Sequence, residues 1–250
     1  MKLVQPVRIS ILLVCLLALL AGCTPAPADT APPTPAALRV VITPALRPLA
    51  EILRRCAAGK PISLAVEELP ANALELQPNE LVFRLGQPAE ARGYAVQIGW
   101  ETLGVIVHAD NPTTKLSADE LAALFSGGIS TWAEGGQAVQ VWAYPPGDEA
   151  RQAFDAAVLG QKSLTGSARL APDPQAMLDS VAHDPAALGY LPLKWFSSAA
   201  TPVPPTVKLI RLETKLGESL RQPVLAFSLA EAEGNSRALL LCVQESWSQP

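Results

Sequence analysis

The stretch Ile98-Gly99-Trp100-Glu101-Thr102-Leu103-Gly104-Val105-Ile106-Val107-His108 decides how this chain folds. Residues 103–107 form a short apolar run suited to a buried strand. Working outward, Ser117 with Glu120 three residues later makes a capping box ahead of Leu121 and Leu124, so a helix starts there. Further strands are expected at 38–42, 62–66, 81–85, 139–143, 187–191, 207–212 and 224–229. Further helices are expected at 45–58, 148–158 and 174–182, with a last one starting near Asn235. This alternation predicts an α/β protein, and no internal repeat interrupts it.

Four segments then carry a family resemblance. Residues 98–108 resemble the strand that crosses between lobes in phosphate-binding-type periplasmic proteins. Asn111-Pro112 with Leu116-Ser117-Ala118-Asp119-Glu120-Leu121 resembles their "NP…L…eeL" segment. Leu124-Phe125-Ser126-Gly127-Gly128-Ile129-Ser130-Thr131-Trp132 resembles their "iFsGkitnW" run, and Leu188-Gly189-Tyr190 their "iGY" strand. The resemblance implies a two-lobed periplasmic binding protein type II fold, with mixed sheets flanked by helices and a ligand cleft between the lobes. Lobe 1 is expected to be discontinuous, residues 38–107 with 196–250, and lobe 2 to be residues 108–195. Such clefts close by hinge motion. They take polar contacts from strand ends and helix N-termini, where free N–H groups favour anions. The implied ligand is a small-molecule solute, an anion or zwitterion, and the implied partner is an ABC-type permease. A monomer is expected.

The binding positions depart from that family's pattern. Its Ser-Gly-Thr cluster at a helix start falls on Asp148, Glu149 and Ala150, while Arg151 and Phe154 match. The family's upstream arginine falls on Tyr144. Glu101 matches an aspartate that accepts a proton from hydrogen phosphate, and Trp100 beside it is the first choice for a ligand-facing aromatic. Thr43-Pro44-Ala45, at the end of the first strand, resembles the first binding loop with fewer hydroxyls. A carboxylate about 4 Å from a bound anion costs roughly 4 kcal/mol at an effective dielectric near 20. Asp148 and Glu149 therefore speak against inorganic phosphate. They either occupy the site from within or select a cationic or zwitterionic solute. Each also has a structural reading: Asp148 as N-cap, Glu149 in the first helical turn, and Thr43 capping a helix with Pro44 at its first position.

The N-terminus sets the expected location. Lys2 and Arg8 precede an apolar run at 9–20, about 12 residues and short of the roughly 20 that cross a membrane. Leu20-Ala21-Gly22-Cys23 follows as a lipobox. Residues 1–22 thus read as a lipoprotein signal peptide, and residues 23–37 as a lipidated Cys23 and a tether rich in proline. The protein is expected in the cell envelope, lipid-anchored on the extracytoplasmic side. Without Lys2 and Arg8, basic residues fall from 19 to 17 against 23 acidic ones, a balance that argues against nucleic acid.

Cys56 and Cys242 remain as a pair. Outside the cytoplasm they read as a disulfide joining the first and last helices, with two buried free thiols as the alternative. His108, placed at an exposed strand end, and His183 are the only histidines and have no metal-ligand spacing, so no metal is expected. No phosphate loop, dinucleotide fingerprint or nucleophile elbow occurs, so neither a cofactor nor an enzyme is expected. Two function classes follow. One is a lipid-anchored solute-binding component of an uptake system, phosphate-like in ancestry. The other is a sensory or interaction module whose cleft is occluded.

Overall fold

The computed structural model describes residues 36–248 apart from residues 91, 92 and 200. Cys23 and the tether fall outside the described residues. Strand β1, Ala36–Ile42, shows how the sheet is built. Leu38, Val40 and Ile42 point into the main core, while Arg39 and Val41 take the other face. β1 lies parallel between β2, Ile62–Glu68, and β3, Glu80–Leu85. β11, Arg221–Ser228, runs antiparallel between β3 and β4, Tyr94–His108.

β4 is the longest strand described, and its apolar run at 103–107 is only its second half. It pairs with β11 as far as Thr102, then from Leu103 with β8, Ala187–Pro192. β8 continues in parallel to β6, Gln140–Ala143, and β6 to β7, Arg169–Leu170. One strand therefore stitches the two halves of a mixed sheet. The expected single strand at 207–212 is two. Val207–Leu209 (β9) pairs with β4, Ile210 donates its N–H to Val105, and Arg211–Leu212 (β10) turns to pair with β5, Lys115–Leu116.

Helices cover the faces. α1, Leu49–Ala57, and α7, Gly234–Trp247, pack together against the β1 half and are joined by a Cys56–Cys242 disulfide. α2, Ala118–Ser126, begins with the Ser117/Glu120 capping box. α3, Glu149–Phe154, runs on into a π-helical turn at Asp155–Leu159, and α4, Pro174–His183, is capped by Asp173. Two short helices complete the fold: α5, Lys194–Ser197, and α6, Thr214–Ser219. Phe125, Phe154, Tyr144 and Tyr190 form an aromatic centre beneath α3, with Phe154 and Tyr190 stacked at 3.9 Å between ring centroids. His108 does end a strand, but it is buried, not exposed, and its Nδ1 accepts from the Asp110 N–H.

The opposite face of the β1 half is treated differently. Val41, Val82, Leu225 and Phe227 form a separate small cluster there. Covering it is the irregular segment 69–79, with one 3-10 turn at Ala71–Ala73, which brings Leu69, Leu74 and Leu76. Pro70 and Pro78 within that segment disfavour a longer helix.

Candidate functional site

Thr43 follows the last residue of β1, its N–H bonded to the Phe83 carbonyl. It occupies the N-cap position of a 3-10 turn, Pro44–Leu46, with Pro44 at the first position. Its side chain does not cap that turn. Instead the hydroxyl donates to Glu149 Oε1 at 2.5 Å. Glu149 arrives from the far half of the sheet. β6 ends, Tyr144-Pro145-Pro146-Gly147 turns with Gly147 at φ +90°, and Asp148 caps α3 by accepting the Arg151 N–H at 2.9 Å. Only glycine adopts that φ without strain. Asp148 thus caps the helix, and Glu149, its first residue, reaches across to the end of β1.

The contact is deeply buried, with Thr43 1% and Glu149 3% exposed. Arg84, near the end of β3, places its Nε 3.6 Å from Glu149 Oε2. Among the described residues Oε2 itself has no hydrogen-bond partner. Burial pushes the Glu149 carboxyl up to about 8. The Thr43 hydroxyl, Arg84 and the Leu85 N–H pull the other way without cancelling it. Burial also raises Asp148. Glu149 is thus mostly a neutral acid at pH 7.

The other predicted positions sort themselves around this contact. Ala45 is buried, and its carbonyl accepts the Trp195 indole N–H at 3.1 Å. Trp195 lies in α5 with the Arg47 guanidinium over its ring at 5.1 Å, so this bond is a second tie between the β1 end and the region following β8. Ala150 is buried and offers no side-chain donor. Arg151 turns back along its own helix, pairing with Asp155 at 2.6 Å and donating to the Tyr144 carbonyl at 2.9 Å. Tyr144, fully buried, donates its hydroxyl to the Tyr190 carbonyl.

Glu101 sits where β4 changes partners. Its Oε1 accepts the N–H groups of Thr102 at 2.8 Å and Lys194 at 3.3 Å, and burial raises the carboxyl to about 7. It therefore pins α5 to β4. Trp100, next along the strand, is 46% exposed with the Arg221 guanidinium 4.6 Å over its ring, apart from the Thr43–Glu149 contact. The sequence alone does not single out Arg84 for the site, and it offers Trp195 only as one of four tryptophans that could line a cleft, behind Trp100. The signal for Arg84 was a lone charge in the apolar run Leu81-Val82-Phe83-Arg84-Leu85. Among the described residues no cluster of metal-ligating side chains occurs, and no helix is long and apolar enough to cross a membrane.

A mixed sheet threaded by one long strand, with a strand end on one side meeting a helix N-terminus on the other, defines an α/β binding-protein fold of type II. The PBP superfamily domain matches residues 89–218, just over half of the chain, and the chain belongs to that family. Among solved structures it is similar to a putative phosphate ABC transporter substrate-binding protein with bound phosphate from Clostridium perfringens. That likeness has 18% identity and a TM-score of 0.67, covering 83% of this chain and 92% of the other. An ABC-type phosphate transport receptor from Vibrio cholerae is similar at 17% identity and a TM-score of 0.60, covering 84% and 94%. The reduced regulatory domain of OxyR2 from Vibrio vulnificus is similar at 11% identity and a TM-score of 0.62, covering 88% and 99%. Likeness at these identities is one of fold. No curated protein sequence matches the chain.

Proposed function

We propose that the mature chain is a solute-binding protein, lipid-anchored through Cys23 on the extracytoplasmic side, serving an ABC-type uptake system. Its lobes are residues 38–107 with 196–250, and residues 108–195, and its site has moved away from inorganic phosphate. The observation that carries this reading is the Thr43–Glu149 hydrogen bond, which joins the two expected walls of the cleft. An oxyanion needs several donors at once. Here the Thr43 hydroxyl is taken by Glu149, Arg151 faces Tyr144 and Asp155, and Ala150 has no donor.

A ligand has to displace Glu149 without leaving buried groups unmatched, because an orphaned buried polar group costs about 1–3 kcal/mol. A small zwitterion meets that condition. Its carboxylate suits Thr43 and Arg84, and its ammonium suits Glu149, which ionises beside it. Phosphate supplies only the first half.

Thermal unfolding of the mature domain against a panel of anions and zwitterions tests this. A true ligand at 100 times its dissociation constant adds about 2.7 kcal/mol of stability. The reading fails if millimolar phosphate raises the midpoint by several degrees while sulfate and zwitterions do not. The second reading, a sensory or interaction module with an occluded cleft, is favoured by the burial of Thr43 and Glu149. It is selected if no solute shifts the midpoint of the native chain, yet replacing Asp148, Glu149 and Ala150 by Ser, Gly and Thr creates oxyanion binding.

A further inference from the structure

The sheet face away from the main core carries a second candidate site, which adjoins the Thr43–Glu149 contact through Arg84. Register puts Arg39 opposite Glu80 and Val41 opposite Val82 on β1 and β3. It puts Phe227 opposite Val82 and Leu225 opposite Arg84 on β3 and β11. Directly opposed residues share a face. The result is an apolar floor with an Arg39–Glu80 ion pair at one end and Arg84 at the other.

The segment 69–79 straps over this floor without filling it. A groove of about 520 Å³ remains, lined by Leu74, Leu76, Val82, Phe227, Leu229 and Arg84. That volume falls within the range of small-molecule sites, which are mostly apolar with a few placed polar groups. The cationic group here is Arg84, whose side chain is 13% exposed, and Gln77 adds a neutral polar one. Its Nε faces the Leu85 carbonyl at 3.5 Å and Glu149 Oε2 at 3.6 Å. Its two terminal nitrogens have no hydrogen-bond partner among the described residues. Four N–H donors at the groove wall are open to an acceptor, and a guanidinium matches a carboxylate in two-pronged geometry. Glu75, exposed, also lines the groove and opposes any ligand bearing a second negative charge.

We infer that this groove binds a small amphipathic monocarboxylate, its head on the terminal nitrogens of Arg84 and its hydrocarbon tail along Leu74, Leu76, Val82, Phe227 and Leu229. Octanoate is the probe, with octanol as the headless control and suberate as the dicarboxylate. Titration calorimetry on the mature domain is expected to show saturable octanoate binding, about tenfold or more tighter than octanol or suberate.

Arg84→Gln is expected to weaken octanoate about tenfold or more, to the level of octanol. Because Arg84 is largely buried, Leu229→Glu provides a surface variant. It puts a charge in the tail path at a residue that is 48% exposed and is expected to abolish binding. Leu241→Glu, the same change on an exposed leucine of α7, is expected to leave binding unchanged. The proposal is overturned if octanoate shows no saturable binding at millimolar concentration, if octanol or suberate binds as well, or if binding survives Leu229→Glu.

Discussion

Thr43 and Glu149 are 106 residues apart in sequence, yet the hydroxyl of one donates to the carboxyl of the other at 2.5 Å, with both side chains closed off from solvent. The bond ties the end of β1 to the start of α3, elements that belong to opposite halves of the sheet. Thr43→Val keeps the shape but leaves Glu149 Oε1 unmatched in the interior. Urea unfolding is expected to show a loss of about 1–3 kcal/mol. An unchanged midpoint would mean that the hydroxyl contributes nothing there.

Stability should depend on pH in a direction unusual for carboxyl groups. The ordinary Glu value is 4.5, and burial raises Glu149 to about 8 and Glu101 to about 7. Below 4.5 both groups are protonated folded or unfolded, and their full contribution is present. As pH rises toward 8 the unfolded chain releases protons that the folded chain retains, so stability falls. The thermal midpoint is expected to drop across that window and level off above it. Glu149→Gln and Glu101→Gln should each flatten the profile. A midpoint that climbs from pH 5 to pH 8 would contradict the assignment.

Cys56 and Cys242 close a loop across a sequence separation of 186. Cross-links over long loops restrict the unfolded chain most, and loss of a native one typically costs about 2–5 kcal/mol. Cys56→Ser with Cys242→Ser is expected to lower the urea midpoint accordingly, and reductant should shift the native chain but not the variant. Equal midpoints with and without reductant would remove the cross-link from the stability of this domain.

Two glycines test packing at the joint. A Cβ on Gly99 would stand 2.6 Å from Cδ1 of Trp247, whose ring is fixed by its own N–H bond to the Trp100 carbonyl. Gly99→Ala is expected to cost about 1–3 kcal/mol. A Cβ on Gly189 would meet the Met177 sulfur at 2.5 Å, and a thioether chain can rotate away. Gly189→Ala is therefore expected to cost less. The reverse order in thermal midpoints would count against this packing.

The sequence was readable wherever a local pattern determined the outcome. The Ser117/Glu120 cap, the apolar run at 103–107 and the Asp148 cap all depend on residues within a turn or two of each other, and each appears in the fold. The first half of β4 was harder, because Tyr94 to Trp100 is partly exposed and lacks the continuous apolar signal. Helix α6 was missed for want of an amphipathic stripe in its six residues. Thr43 reads in sequence as part of a binding loop or as a helix cap, because nothing near it announces a carboxyl arriving from residue 149. Arg84 and Trp195 likewise acquire their roles from long-range register.

The cross-link also determines what a protease can do to this domain. Any single cut between residues 57 and 241 opens a covalent ring without dividing it, since the remaining pieces stay joined through Cys56 and Cys242. Whatever holds the N-terminus therefore retains the C-terminal helix as well. A nicked molecule keeps all of its parts at one address, in position to close up again.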